Sequence, residues 1–259
     1  MMLNFLYDII TWHLIGYGSG IALIFLQSRM HFLCFSFYWH NSVSHKHYTI
    51  TPWLQHVIRF YQWINSTIWY QGQMTNFTAE HRIHHQYTDT NKDPVSPHRF
   101  TLRQLWTYEQ HPGAARYVSP EEVEKYGDPT AEPNDSATLF YKRHQFRGVW
   151  ISIIAWTIIL GPVGFVLAYL MPYFNQYYGI FIGDWLWHKV GYKHKKDKSK
   201  ARNFLPFSFG EGLHSNHHAY PHKINKACRW FEIDFTYYIL ILCSWVRIIK
   251  FNPQLKELA

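Results

Sequence analysis

Long apolar runs separated by polar stretches dominate the pattern along this chain of 259 residues. The longest run, 149–171, carries no charged side chain. It is long enough to cross a hydrocarbon core of about 30 Å, since an α-helix rises about 1.5 Å per residue, and we predict a membrane-spanning helix here. The aromatic-rich stretch 172–187 follows directly, so the two are expected to form a transmembrane hairpin over 149–188.

Two other apolar segments are interrupted by polar side chains. His56 and Arg59 fall within 53–70, and acidic and basic residues leave only a short uncharged core in 229–251. The first segment is predicted to lie along the membrane interface as an amphipathic helix. The second is predicted to be a buried or interfacial helix, with a membrane crossing as the alternative. The N-terminal 39 residues have room for one crossing, or for two compressed ones. About four transmembrane helices, three to four, are therefore expected in total.

Composition indicates a membrane part and a polar part. Aromatic residues make up 19% of the chain, as is typical where side chains meet a membrane interface, yet the mean hydropathy is −0.26. The chain has no evident linker, and its length suits one domain. The expected fold is an all-α integral membrane protein with a single domain, 1–259, and membrane segments at 1–39 and 149–188. The segments 40–147 and 189–259 are expected to form a cytoplasmic cap with interfacial helices.

The net charge of +8 fits a membrane topology better than a nucleic-acid partner, because many basic residues flank apolar runs and no nucleic-acid motif accompanies them. Three scattered cysteines indicate a reducing compartment, and residues 1–28 lack the basic start of a secretory signal. The expected location is multi-pass in the bacterial inner membrane or the endoplasmic reticulum, with the site on the cytoplasmic face. Candidates for binding an anionic substrate group or an acidic electron donor follow the hairpin; they are Lys189, Lys193, Lys195, Lys196, Arg202 and Asn203.

Histidines recur in three clusters whose spacing is typical of metal ligands. The pattern HxxHH occurs twice, at 81–85 and 214–218, and an HxxxxH pattern occupies 40–45. On an α-helix, positions i, i+3 and i+4 lie on one face, and neutral imidazole binds iron, zinc, copper or nickel. The candidate ligands in these clusters are His40, His45, His81, His84, His85, His214, His217 and His218.

A ninth candidate, His188, ends the predicted hairpin and shares a helix face with Asp184, four residues earlier. One metal ion takes about four to six ligands, so eight or nine imidazoles imply two metal ions. The two histidines of HxxxxH lie about 140° apart on an α-helix, so they either serve different metals or straddle a helix end. Imidazoles alone leave the metal open: zinc indicates hydrolysis, whereas a buried dinuclear site in a membrane protein favours redox iron that activates dioxygen.

These motifs together resemble those of the membrane fatty acid desaturases, and within them the acyl-CoA Δ9, stearoyl-CoA-type branch. HNSVSH at 40–45 is similar to the family's HxxxxH motif. EHRIHH at 80–85, followed by YTDTNKDP at 87–94, is similar to its HRxHH motif with a downstream acidic run. GEGLHSNHHAYP at 210–221 is similar to GEGxHNxHHxxP. The likeness extends over about residues 20–250, and a motif set of this size is specific.

The resemblance implies two iron ions (Fe2+/Fe3+) bound by nine histidines, with His188 as the ligand outside the three motifs. It implies insertion of a cis double bond, at the Δ9 position, into a long-chain acyl-CoA or related acyl lipid. Dioxygen is then the co-substrate, and an external donor, a cytochrome-b-type protein or a ferredoxin, supplies two electrons. Where the family has an asparagine that contacts one iron through water, this chain has Asp184, which is the expected water-mediated contact here.

Other functions use similar histidine patterns. A fatty acyl hydroxylase or decarboxylase acts on the same chains, and product analysis separates it from a desaturase. A non-catalytic metal- or haem-binding membrane protein is distinguished by the lack of dioxygen turnover. A zinc-dependent membrane hydrolase is distinguished by its metal content.

Overall fold

A computed structural model describes residues 18, 22, 25–27, 29–65, 74–107, 111–131, 133–204 and 210–253. Helices form most of the regular structure in these residues. The N-terminal crossings predicted within 1–39 fall largely outside the described residues. Helical residues 29–34 lead directly into the first histidine motif.

The HxxxxH motif lies at the end of a π-helix, π1, that spans Phe35–Ser44, and His45 is the residue directly after it. At its end the His45 N–H donates to the His40 carbonyl at 3.1 Å, an i to i+5 hydrogen bond of the kind that defines this winding. The strand β1, Tyr48–Ile50, follows and pairs antiparallel with β2, Ile249–Phe251. This two-stranded sheet joins the segment after π1 to the C-terminal part of the described chain, and it departs from the predicted all-α class.

Among the described residues, five α-helices lie between β1 and the long apolar run. Local signals fix where three of them begin, since Thr101 and Ser119 start capping boxes and the Asp135 side chain accepts a backbone N–H at the start of a helix. The first of the five covers most of the segment predicted as an amphipathic helix. They are α1 (Pro52–Ile64), α2 (Met74–Tyr87), α3 (Leu102–Trp106), α4 (Pro120–Tyr126) and α5 (Ser136–Arg143).

The apolar run forms α6, Gln145–Gly179, which is broken inside at Gly161. The backbone there has φ 62° and ψ −147°, a conformation that glycine adopts at little cost because it has no Cβ. A second π-helix, π2, spans Ile180–Trp185, and a 3-10 helix spans Leu186–His188. The turn predicted after residue 171 is therefore wrong, because helix continues there and the break lies earlier.

The prediction of transmembrane helices is wrong for the residues that the structure describes. None of their helices is both long enough and apolar enough to cross a membrane. The break at Gly161 divides the strongest candidate. The helix α8 (Phe235–Trp245) is much shorter than the roughly 20 residues that a crossing needs. The expected fold with about four transmembrane helices and the expected multi-pass membrane location are both corrected by this finding.

The main apolar core gathers π1, the two-stranded sheet and α8. Tyr48 and Leu240 are each only 1% exposed, and the Tyr48 hydroxyl donates to the Phe37 carbonyl at 2.7 Å. Phe77 of α2 packs into the same core, edge to face against Trp39 with ring centroids 5.6 Å apart. The core thereby fixes π1 relative to α2, which are the elements that carry the first two histidine motifs. The third motif lies on α7, His214–Ala219.

Candidate metal centre

The nine histidines singled out in the sequence converge in two neighbouring groups. Within each group, the ring nitrogens that face one another all lie within 4.8 Å. The second group consists of His84, His188, His214 and His218. The first group consists of His40, His45, His81, His85 and His217.

Each HxxHH motif contributes to both groups. On α2, His81 and His85 enter the first group, whereas His84 enters the second. On α7, the outer histidines of the motif enter the second group and His217 enters the first. Both helices follow one rule: the residues at i and i+4 share a group, and the residue at i+3 turns to the neighbouring one. The single helix face expected from the spacing is therefore wide enough to serve two sites.

The HxxxxH pair shares the first group because it lies at the end of a π-helix. A five-residue spacing separates two side chains by about 140° on an α-helix. The wider winding of π1, with its i to i+5 bonding, brings His40 and His45 together, with ring centroids 4.8 Å apart. Of the two arrangements that the sequence left open, the structure shows the second: π1 ends at Ser44, so His40 and His45 lie on either side of a helix end and belong to one group.

Glu211 orients the first group through His40. Its Oε2 lies 2.9 Å from His40 Nδ1, and its Oε1 accepts from the Asn41 amide at 3.0 Å and from the Lys226 ammonium. Burial acts to raise the pKa of Glu211, but His40 and Lys226 outweigh burial and hold this pKa well below its usual value. The ionised carboxylate therefore holds the Nδ1–H of His40 and leaves Nε2 directed at the group.

Two acids in the segment just after α2 orient the second group. His84 Nδ1 lies 2.9 Å from Asp93 Oδ2, and His188 Nδ1 lies 3.1 Å from Asp89 Oδ2. Burial acts to lower the pKa of His84, but the Asp93 carboxylate outweighs burial and the net shift is upward. Neither acid was predicted to have a role of its own. Their position within nine residues after an HxxHH motif is the signal that could have indicated such a role, since metal-bound histidines commonly donate their other N–H to a carboxylate.

Two further histidines, His217 and His218, differ in how the ring nitrogen that faces away from the groups is held. Nδ1 of His218 lies 3.2 Å from the Thr88 hydroxyl oxygen. Nδ1 of His217 is buried and has no hydrogen-bond partner among the described residues. Orientation of the rings is thus supplied mainly by side chains at His40, His84, His188 and His218.

The ring nitrogens inside the groups approach one another closely. The Nε2 atoms of His45 and His81 are 2.8 Å apart, and those of His188 and His214 are 3.0 Å apart. Neutral imidazole is the form that binds a metal ion, and buried neutral rings with converging Nε2 atoms fit a pair of metal ions. Burial, and then neighbouring imidazoles, hold the pKa well below its usual value for His45, His81, His85, His214, His217 and His218.

The other residues predicted for the site lie outside both groups. Asp184, on π2, forms an ion pair with Arg116. Asn203 is buried and donates to the Asn216 side-chain oxygen at 2.7 Å. It therefore holds α7 in place through Asn216. Of the basic residues, Lys193 and Arg202 are partly buried, and Lys189, Lys195 and Lys196 are exposed.

A cavity reaches ligand candidates of both groups, among them His81 and His84. Part of its wall is apolar, with Phe32, Phe77 and Trp187 among its lining residues. Another part is charged and consists of Glu80, Arg116 and Asp184. A chain of methylene groups is a suitable occupant of the apolar part, because such a ligand gains from leaving water.

No protein-family model matches the chain. It is similar to the Delta-9 desaturase-like 4 protein of Arabidopsis thaliana, with 30% identity over 92% of this chain and 77% of that one. It is similar to the sn-1 stearoyl-lipid 9-desaturase of Synechocystis sp., with 26% identity over 98% of this chain and 77% of that one. Delta-9 acyl-lipid desaturase 1 of Arabidopsis thaliana is 27% identical over 78% of this chain and 65% of that one.

The fold and its two histidine groups define a largely helical protein whose buried imidazoles fit a dinuclear metal site. The chain belongs to the Delta-9 desaturase family, and the resemblance predicted from its motifs is confirmed. Family membership and the histidine groups together support an oxidoreductase of the fatty acid desaturase type.

Proposed function

We propose that this protein is a di-iron desaturase that introduces a cis double bond, at the Δ9 position, into a long-chain fatty acyl substrate. Dioxygen is the proposed co-substrate, and two electrons come from an external donor of the cytochrome-b or ferredoxin kind. The observation that carries the proposal is the division of nine imidazoles into one group of five and one of four. Each number matches the coordination that a single transition-metal ion commonly takes.

The nine histidines of the two groups are the proposed ligands. Two irons held there would supply the activation of dioxygen, which is chemistry that protein side chains alone do not perform. The imidazoles supply neutral nitrogen donors, and Asp89, Asp93 and Glu211 hold ring N–H groups so that the opposite nitrogens stay directed inward.

The remaining task of the protein is to position the substrate. The cavity is lined by Phe32, Phe77 and Trp187 and reaches histidines of both groups. We propose that it holds the acyl chain with one pair of methylene groups beside the histidines. Desaturation at one position requires this, because neighbouring methylenes are chemically alike and only their placement distinguishes them.

The form in which the acyl chain arrives is a separate part of the proposal. The relatives are named for acyl-lipid and stearoyl-lipid substrates, and the motifs resemble those of acyl-CoA enzymes, so both an acyl-CoA and an acyl lipid are proposed substrates. The exposed lysines Lys189, Lys195 and Lys196 are proposed to attract an anionic head group or an acidic electron donor. Turnover that falls steeply with rising salt supports this role, whereas a flat salt response contradicts it.

The test of the proposed function starts from purified protein. Iron per chain is counted, and the protein is incubated with stearoyl-CoA or a stearoyl lipid, dioxygen and a reduced donor, with an anaerobic sample as control. Gas chromatography with mass spectrometry then locates any new double bond. Two irons and an oxygen-dependent Δ9 product are expected.

Other results identify the competing functions. Hydroxylated or shortened chains indicate a hydroxylase or a decarboxylase. Zinc in place of iron indicates a hydrolase, and metal-loaded protein that consumes no dioxygen indicates a metal-binding role without catalysis. Each of these three results contradicts the proposal.

A further inference from the structure

Arg116 is a buried arginine in the segment between α3 and α4. Its side chain is 4% exposed, and its backbone lies in the left-handed region with φ 63°, which is uncommon for a residue other than glycine. The backbone N–H donates to the Pro94 carbonyl at 2.8 Å, and Nε donates to the Leu105 carbonyl at 3.0 Å. These contacts fix the direction of the guanidinium.

The guanidinium joins two carboxylates that come from different helices. Nη1 donates to Glu80 Oε1 at 2.9 Å, and Nη2 donates to Asp184 Oδ2. Glu80 lies on α2, directly before the HxxHH motif, and Asp184 lies on π2, four residues before His188. Arg116 therefore links the helix that carries one motif to the segment that ends in the isolated histidine.

This link concerns the second group more than the first. Of the nine histidines, only His188 lies on the 3-10 helix directly after π2, and it belongs to the second group, where its ring centroid lies 5.2 Å from that of His84. The first group draws its histidines from π1 and the residue after it, from α2 and from α7, and none of them lies on the 3-10 helix directly after π2. A shift of π2 relative to α2 would therefore move one ligand of the second group and none of the first.

The chemistry of the link requires arginine. A planar guanidinium offers two separate pairs of N–H groups in a fixed fork, so it holds two carboxylates at once, whereas a lysine ammonium is a single point charge. Glu80 and Arg116 are both buried. Removing the arginine would leave two carboxylates facing each other without a cation between them, and they would move apart or take up protons.

We propose that Arg116 is a positioning residue that holds His188 beside His84 by tying π2 to α2, so that the second metal site depends on it and the first does not. This rests on the proposed function, because it assumes one metal ion in each group. The arginine touches neither group directly in this role. It acts through Glu80 and Asp184.

The test compares Arg116→Gln with a matched control, Arg59→Gln. Arg59 is also buried, with its side chain 8% exposed, and it pairs with Asp135 at 2.8 Å and 3.1 Å to tie α1 to α5, outside the histidine groups. Each protein is prepared without metal, titrated with Fe(II) under anaerobic conditions, desalted and assayed for iron per chain. Unfolding by urea is measured on the same samples.

We expect two irons per chain in the wild type and in Arg59→Gln, and about one in Arg116→Gln. Both variants are expected to be less stable to urea, so a stability loss shared with Arg59→Gln cannot explain the selective loss of iron. Two irons in Arg116→Gln would overturn the inference. Fewer than two irons in the wild type would instead overturn the proposed function.

Two further variants decide the matter if Arg116→Gln does not fold. Asp184→Asn removes the ion pair between Arg116 and π2 and keeps the one between Arg116 and Glu80. It is therefore expected to weaken iron binding at the second group and to leave iron binding at the first group intact. Arg116→Lys, which keeps the charge without the fork, is expected to do the same. Unchanged binding of both irons in these two variants contradicts the inference. Loss of iron in Asp184→Asn together with full binding in Arg116→Lys also contradicts the inference, because Asp184 would then act on the metal without Arg116.

Discussion

The two histidine groups are held in different ways. In the first group, Glu211 orients His40, and its contacts to Asn41 and Ser36 join positions 170 and 175 residues apart. In the second group, Asp93 orients His84 from nine residues away. The first site thus depends on packing between distant parts of the chain, whereas much of the second depends on one short segment that follows α2.

From this difference we expect the two groups to respond separately to substitution. The polar contacts of the first group belong to a buried network that also holds the fold together, since Lys226 is part of it. Those of the second group come largely from segment 88–93 and from the ties to π2. Damage to the first network is expected to affect folding and metal binding together, and damage to the second to affect metal binding more than folding.

The largest effects are expected from removing one ligand of each group. His214 and His217 lie three residues apart on α7 but belong to different groups. We expect His214→Ala and His217→Ala each to abolish desaturation, because the proposed reaction uses both irons, and each to lose iron from its own group. His222→Ala, at an exposed position, is the matched control and should keep full activity. Full iron content in either ligand variant would contradict the assignment of that histidine as a metal ligand of its group.

Glu211→Gln is expected to have the next largest effect. It leaves the buried Lys226 without its anionic partner, which typically costs about 3–5 kcal/mol of unfolding free energy, and it weakens the orientation of His40. Urea unfolding and iron counts measure the two effects. Adding Lys226→Met should recover part of the stability but not the iron of the first group. Unchanged stability in Glu211→Gln would show that this network is not coupled to folding.

Asp93→Asn is expected to act mainly on metal binding. The substituted amide is a poorer acceptor for the His84 N–H, and loss of such an orienting contact typically lowers metal affinity about 10–100-fold. Competition with a chelator should show this loss for one iron of the pair, with the other unchanged. Equal weakening of both irons would contradict the separation of the two groups.

Thr88→Val is expected to have the smallest effect. It removes one hydroxyl, 3.2 Å from His218 Nδ1, and one such hydrogen bond contributes about 1 kcal/mol. Iron affinity at the second group should fall by no more than about ten-fold, the factor that corresponds to 1.4 kcal/mol. Thr88→Ser, which restores the hydroxyl, should recover it. Failure of serine to restore affinity would mean that the methyl group, and not the hydroxyl, matters.

Parts of the fold were open to prediction because their signals are local. The capping boxes at Thr101 and Ser119 set where α3 and α4 begin, and such signals need only a few neighbouring residues. The apolar run 149–171 led to the wrong prediction of a spanning helix because that prediction also used local composition alone. Its composition is that of a spanning helix, but the backbone break at Gly161 is a property of one residue's conformation, which composition does not reveal.

The sequence by itself identified the family and the nine histidines that converge, and it predicted two metal ions, because ligand type, number and spacing are written in the chain. Tertiary structure alone decided how the histidines divide into five and four, which acids orient them, and that Arg116 links Glu80 to Asp184. The physical reason is distance along the chain. Spacing fixes the direction of side chains within one helical turn, whereas π-helical winding and buried ion pairs depend on how segments far apart in sequence pack together.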